Sequence, residues 1–461
     1  MSVTALGLAA AVAGTPRPAA AQDTFAPDST VRAILSNRIV KKLGTGFVVA
    51  VQERGAAPRI FTAGISGVNG LALDANTVFE IGSVTKVFTS TLLAEMVERG
   101  EVTLEDPISK YLPKTVKVPE RKNTQITLGD LATQTSGLPR LPSNLRPVSV
   151  ANPYADYTVQ NLYEFLSTYT LTRDIGSQYE YSNLGVGLLG HVLALRAGKS
   201  YEELLIERVL APLGMNDTRI RLTESMRSRM AQGFNAQGEP MSTWDLPTLA
   251  GAGALRSTAT DMLKFLSASL DSTKSPLGRV MARTRAIRHA ADRPGNNIGL
   301  GWHIVDVFGS TLTWHNGGTG GYRAFIGLDD SKHRGVVVLT NATVSPDDIA
   351  FHILEPKVPL DVPPRPPVAR VEVAVDSVAL VPLVGVYELA PAFRLAITRE
   401  GTFLFGQATG QGRTRLFAES PLKFFLRGVD AQISFLLDAD GKVNQLILHQ
   451  GGANIPGKRV E

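Results

Sequence analysis

Ser83-Val84-Thr85-Lys86 places a hydroxyl and an amine three residues apart. On a helix that spacing sets both groups on one face. A serine hydroxyl attacks a carbonyl only when a base takes its proton. A lysine desolvated in an apolar site drops its pKa far enough to be that base. If the pair opens a helix, unpaired backbone N–H groups add positive potential for a developing oxyanion. The chemistry implied is acyl transfer through a covalent serine ester. Tyr181-Ser182-Asn183 adds a phenol able to relay a proton to a leaving group and an amide able to hold a substrate amide. His315-Asn316-Gly317-Gly318 ends an expected strand, where glycine lets a substrate backbone lie along the edge. The Gly318 N–H is then a second oxyanion donor beside that of Ser83.

Each string is weak by itself. A chain of this composition carries about one or two S-x-x-K strings by chance. Ser420-Pro421-Leu422-Lys423 is a second one. Position separates them. The first opens a helical pattern from 83 to 99 whose apolar residues Val87, Leu92, Leu93, Met96 and Val97 wrap much of the circumference, the mark of an internal helix. The second contains a proline and lies in a β-rich tail.

The elements around these strings follow a clear order. Runs 46–52 and 59–64 read as a hairpin about the turn 54–58. Runs 162–167, 184–197, 201–210 and 261–270 are helical. The period then changes, and 299–307, 311–315, 322–328 and 335–339 read as antiparallel strands. A hairpin, a helical block and a run of strands describe an α+β domain whose sheet is built from both ends of the chain. The stretch 358–370 is proline-rich and reads as a stiff linker. After it, 380–388, 394–399, 402–405, 423–426, 433–437 and 443–448 alternate with turns, as in a small barrel or sandwich.

Taken in order, the three strings resemble the S-x-x-K, Y-x-N and K/H-x-G set of the penicillin-recognising serine enzymes. The nearest branch is that of class C β-lactamases, D-alanyl-D-alanine carboxypeptidases and related esterases. Phe79-Glu80-Ile81-Gly82 before the serine, Thr135-Ser136-Gly137-Leu138-Pro139, Leu255-Arg256-Ser257-Thr258 and the run from His315 to Gly321 agree with it. The resemblance implies a β-lactamase/transpeptidase-like domain followed by a small, lipocalin-like β-barrel. It implies that Ser83 is acylated, that Lys86 and Tyr181 share the proton transfers, and that Asn183 orients the substrate. His315, Asn316 and Gly317 would line the opposite wall, with the N–H groups of Ser83 and Gly318 as the oxyanion hole. His315 stands where most β-lactamases carry lysine. A histidine there, cationic for part of the population near neutrality, favours peptides of D-amino acids or esters over β-lactams. Arg283, Arg285 and Arg288 are candidates for the missing charge. The rival reading is a binding protein that keeps the fold without turnover.

Composition narrows the rest. The chain has 461 residues, 44% hydrophobic and 19% charged, which excludes a disordered chain and a coiled coil. Its length predicts two or three domains. A net charge of +5 without a block of like charges gives nucleic acid no support as a partner. Cysteine is absent, excluding disulfides and a thiol nucleophile. The seven histidines form no H-x-x-x-H pair, so neither a metal nor a cofactor is expected. Gly185-Val186-Gly187-Leu188-Leu189-Gly190 matches G-x-G-x-x-G but lies in a helical pattern, so it reads as close packing. Residues 1–21 read as a leader, with an apolar run from Val3 to Gly14 but no basic start, which predicts export to the periplasm or beyond. No stretch reaches the ~18 apolar residues of a membrane span. The expected organisation is a hydrolase domain over 22–356, a linker over 357–376 and a barrel over 377–461. The expected partner is a small-molecule or peptide substrate, with self-association through the barrel. Tyr154, Tyr157, Phe234 and Trp244 are expected to wall the pocket.

Overall fold

The structure, a computed structural model, describes residues 25–361, 370–390, 393–409, 412–427, 431–450 and 453–460. The leader-like segment 1–21 and most of the proline-rich stretch lie outside the described residues.

Helix α1 (Asp28–Val40) precedes the hairpin of β1 (Gly46–Glu53) and β2 (Arg59–Gly64). A turn at Gly82–Val84 runs directly into α2 (Thr85–Glu98). Helix α3 (Asn183–Ala197) is capped by the Ser182 hydroxyl, which accepts the Gly185 N–H at 2.8 Å. Helix α4 (Ala259–Leu270) begins at the Thr258 cap. The strands β3 (His289–Ala290), β4 (Asn296–Ile298), β5 (His303–Val307), β6 (Ser310–Gly318), β7 (Arg323–Asp329) and β8 (Arg334–Thr340) follow, then α5 (Asp347–Leu354).

These strands form one eight-stranded sheet in the order β2-β1-β8-β7-β6-β5-β4-β3. The first and last strands of the domain meet at its centre, with Phe47 opposite Thr340 and Val51 opposite Val336. Successive β1 residues enter different cores: Val48 and Ala50 pack with α2 and α4, while Phe47, Val49 and Val51 pack with α1 and α5. Both faces are therefore covered, and β1 is apolar from Phe47 to Val51 instead of alternating. Helix α2 is buried around most of its circumference, as the sequence pattern predicts. Two of its interior hydroxyls are bonded, Thr91 to Val87 O at 2.8 Å and Thr89 to Gly251 O at 2.7 Å. That removes the cost of burying them.

The strand expected at 299–307 starts only at His303, because Gly301 turns at φ 73° and its N–H bonds Ala132 O. The strand expected to stop at His315 continues to Gly318, paired with Arg323. In α3, a Cβ on Gly187 would lie 2.8 Å from Leu249, and one on Gly190 3.0 Å from Gly251. The glycine string is thus a packing seam.

The C-terminal unit is a closed barrel of β9 (Gly385–Ala390), β10 (Phe393–Glu400), β11 (Phe403–Ala408), β12 (Thr414–Ser420), β13 (Lys423–Phe425), β14 (Ala431–Leu437), β15 (Val443–Gln450) and β16 (Ala453–Arg459). Each strand pairs with the next, and β16 returns to β9. The expected strand over 380–388 is helical up to Leu383, because Asp376 caps the Val378 N–H and Pro382 follows. Ser420 ends β12 and Lys423 begins β13, so the second S-x-x-K string spans a hairpin turn.

Candidate active site

Ser83 sits in the tight turn ahead of α2. Gly82, just before it, has φ +47°, and a Cβ there would lie 2.6 Å from the Gly318 nitrogen. Both the backbone angle and the space require glycine. A Cβ on Gly317 would lie 1.9 Å from Ile81 O and 3.0 Å from Ser83 N. The end of β6 therefore presses directly on the serine turn. Strand β5 begins at His303 opposite Trp314, so among the described residues that edge of β6 has no strand partner beyond Trp314. The Thr319 N–H bonds Tyr322 O across the hairpin. By alternation the Gly318 N–H points to the opposite, open edge, toward the serine. The Ser83 N–H belongs to the first turn, where no intrahelical partner exists. Two donors thus converge beside one hydroxyl.

Lys86 is fully buried. Its Nζ lies 3.0 Å from Ser83 Oγ, 2.8 Å from Asn183 Oδ1 and 2.7 Å from Ala252 O. Burial, and secondarily the charge of Arg140, holds its pKa well below the usual lysine value. A neutral amine has two N–H bonds and one lone pair. Two of its three neighbours are carbonyl oxygens, which only accept. They take both N–H bonds, and the lone pair is left to accept the Ser83 O–H.

Tyr181 stands on the other side of Ser83 and is hydrogen-bonded to it; burial pushes the phenol up to about 12, against the pull of the serine. Lys86 Nζ lies 4.7 Å and the Arg140 guanidinium 5.0 Å from its ring centroid. Asn183 donates to the Tyr154 hydroxyl at 3.2 Å, which fixes its oxygen toward Lys86. Glu80 and Arg256 face each other across a short strand pair beneath the turn, and bond at 3.1 Å.

His315 is only 1% exposed and does not line the cleft. Its Nδ1 bonds Asn316 O at 2.6 Å. Burial first, then His303 and Lys86, holds its pKa well below the usual histidine value. The expectation of a partly cationic residue on this wall is corrected: the imidazole is neutral and lies behind Tyr181, ring centroids 6.2 Å apart. His303 faces the cleft instead, 5.1 Å from the His315 ring, and burial pushes it down to about 4.

The cleft has a volume of about 930 Å³ and opens over Ser83. Asn316, Gly317 and Gly318 line one wall, Tyr181, Asn183 and Tyr154 the other. Its cations are Arg140 and Arg323. The arginines expected to supply charge do not line it: Arg283 pairs with Glu98, and Arg285 with Asp330 at 2.9 Å. Of the four aromatics expected in the wall, Tyr154 and Trp244 are there, their centroids 5.6 Å apart. Tyr157 packs in the core, and Phe234 packs beside Gly67. Among the described residues no cluster of three or more metal-ligating side chains is present, and no helix is long and apolar enough to cross a membrane.

Residues 37–354 match the family described as Beta-lactamase. The chain belongs to the beta-lactamase family. Residues 369–459 match a domain of unknown function, DUF3471, which is the barrel. A Beta-lactamase of Pseudomonas fluorescens is 30% identical over 351 residues, 68% of this chain and 92% of that protein. The D-alanyl-D-alanine-carboxypeptidase/endopeptidase AmpH of Escherichia coli (strain K12) is 31% identical over 287 residues, 59% of this chain and 72% of that one. The crystal structure of a Beta-Lactamase/D-Alanine Carboxypeptidase from Pseudomonas syringae superposes with a TM-score of 0.62 at 21% identity, over 72% of this chain and 99% of that one. That likeness shows the fold. This beta-lactamase family member is a serine hydrolase of the β-lactamase and carboxypeptidase class, carrying a C-terminal β-barrel. It cleaves amide or ester bonds through an acyl-enzyme.

The beta-lactamase site brings Ser83, Lys86, Tyr181, Asn183, Asn316, Gly317 and Gly318 together and leaves His315 behind them. Sequence reasoning passed over His303 and Arg140. Arg140 directly follows the Gly137-Leu138-Pro139 turn, and its carbonyl accepts the Asn183 and Leu184 N–H groups. His303 is set by its pairing with Trp314 in the sheet, for which the local sequence carries no signal.

Proposed function

We propose that Ser83 is the nucleophile, Lys86 its base and Tyr181 the proton carrier to the leaving group. The observation that carries this is the Lys86 environment: one hydroxyl and two carbonyl oxygens around an amine whose pKa burial holds well below the usual lysine value. Lys86 takes the Ser83 proton as the oxygen attacks. The oxyanion forms between the Ser83 and Gly318 N–H groups. Tyr181, protonated at neutral pH, gives its proton to the departing nitrogen or oxygen and recovers one from the Lys86 ammonium. Water then attacks the ester with the same groups acting in reverse. Asn183 and the β6 edge at Asn316 hold the substrate.

The neutral His315 leaves the β6 edge without the fixed cation that favours β-lactams. Peptides ending in D-amino acids and small esters are therefore the preferred substrates, with nitrocefin turned over poorly. Export, supported by the leader-like start, places the enzyme where such peptides occur. A panel of D-alanyl dipeptides, 4-nitrophenyl esters and nitrocefin tests this. The expected result is turnover of the first two that Ser83→Ala abolishes. Efficient nitrocefin hydrolysis without peptide or ester turnover would overturn the substrate assignment.

A further inference from the structure

Among the described residues no hydrogen bond or ion pair engages the Arg140 guanidinium, which is exposed in the cleft wall. It lies over the Tyr181 ring at 5.0 Å, and its backbone is tied to the Tyr181–Asn183 segment through Asn183 and Leu184. A guanidinium stacked on an aromatic face keeps its in-plane N–H fork available for a planar anion.

The other charges of the cleft are engaged, Arg323 through Nη1 alone. Arg323 donates from Nη1 to Thr319 O and Tyr322 O, both at 2.8 Å. Glu180 is paired with Arg173. Asp292 accepts from Asn296 at 3.1 Å and lies 3.7 Å from Arg293. Asp347 accepts from Asn316 at 2.6 Å, and burial raises its pKa. His315 is neutral and buried, so the β6 edge offers no competing cation at that position.

We propose that Arg140 binds a carboxylate of the substrate, from the Tyr181 wall and not from the β6 edge. This rests on the acyl-enzyme reading and deepens it: the hydrolase selects anionic amides or esters. The carboxylate belongs either to the acyl part or to the leaving group, and both positions are within the chemistry of a guanidinium fork.

Three esters separate the sources when given to the purified full chain: mono(4-nitrophenyl) succinate, with its carboxylate on the acyl part; 3-carboxyphenyl butyrate, with it on the leaving group; and neutral 4-nitrophenyl butyrate. In Arg140→Gln the anionic-to-neutral ratio of kcat/KM is expected to fall about tenfold or more for one anionic ester, mainly through KM. The ester affected identifies the source. Arg140→Lys restores part of the ratio, and Arg323→Gln leaves it within about twofold. Ratios within about twofold of the parent for both anionic esters in Arg140→Gln, or an equal fall in Arg323→Gln, would overturn the proposal. Failure of the acyl-enzyme reading looks different: Ser83→Ala would then still turn over the neutral ester.

Discussion

Replacing Lys86 by methionine isolates the claim that this amine is neutral in the folded protein. In the unfolded chain a lysine holds its proton up to a pKa of about 10.4. In the fold, burial and Arg140 depress that value. Between the two values the unfolded state binds one more proton than the native state. Stability then rises with pH at about 1.4 kcal/mol per unit, and methionine has no such slope. From pH 8.0 to 9.5 the parent should gain stability relative to Lys86→Met, by up to about 2 kcal/mol. The substitution also strips a donor from Asn183 Oδ1 and Ala252 O, at about 1–3 kcal/mol each. That loss does not depend on pH, so the slope alone carries the test. The three tryptophans, Trp244, Trp302 and Trp314, all precede the barrel. Urea denaturation followed by their fluorescence therefore reports the catalytic domain by itself. Parallel curves for parent and variant would refute the reasoning, since a lysine protonated in both states has no lone pair for the serine proton.

Three further outcomes follow from the geometry. Tyr181→Phe should lower the acylation rate by more than ~10² with an unchanged urea midpoint, read by stopped-flow burst kinetics. Gly82→Ala forces a Cβ to within 2.6 Å of the Gly318 nitrogen. Displacing that donor should cost about 10²–10³ in kcat with little change in KM, as for loss of one oxyanion donor. Arg256→Met leaves Glu80 2% exposed without its cation, which should cost about 3–5 kcal/mol at pH 7 in the same urea assay. Burial already raises the Glu80 pKa above its ordinary value. The native state of the variant therefore binds the extra proton, and its deficit should shrink as pH falls toward 4.5.

Much of the site was legible because its chemistry is written locally. Ser83 and Lys86 share a helical face by spacing alone, and the apolar wrap of α2 marks that face as buried. The two-ended sheet was legible from the order of the elements, a hairpin, a helical block and then a run of strands. What escaped depends on distant neighbours. The lowered pKa of His315 follows from its burial, and Tyr181 and His303, which pack against it, come from two distant segments. Arg140 looks like any loop arginine until the partners of every other charge in the cleft are known. In the barrel, β16 contains Pro456 and Gly457, which read as breakers. Pro456 is tolerated because, among the described residues, β9 pairs with β16 only at Lys458 and Arg459, which leaves one edge of the strand unpaired at the proline. Strand β12 follows a glycine-rich stretch of sequence, yet its alternation of inward Leu416 and Ala418 with Arg415 and Phe417 was there to be read.

The covalent intermediate tests the account at its centre. The enzyme, mixed with 4-nitrophenyl butyrate and quenched in acid within the first turnovers, is digested with trypsin and weighed. The account predicts a butyryl adduct on Ser83 in the peptide from Ile60 to Lys86, absent in Ser83→Ala. Steady turnover with that peptide unmodified, or with the acyl group on another residue, would contradict it.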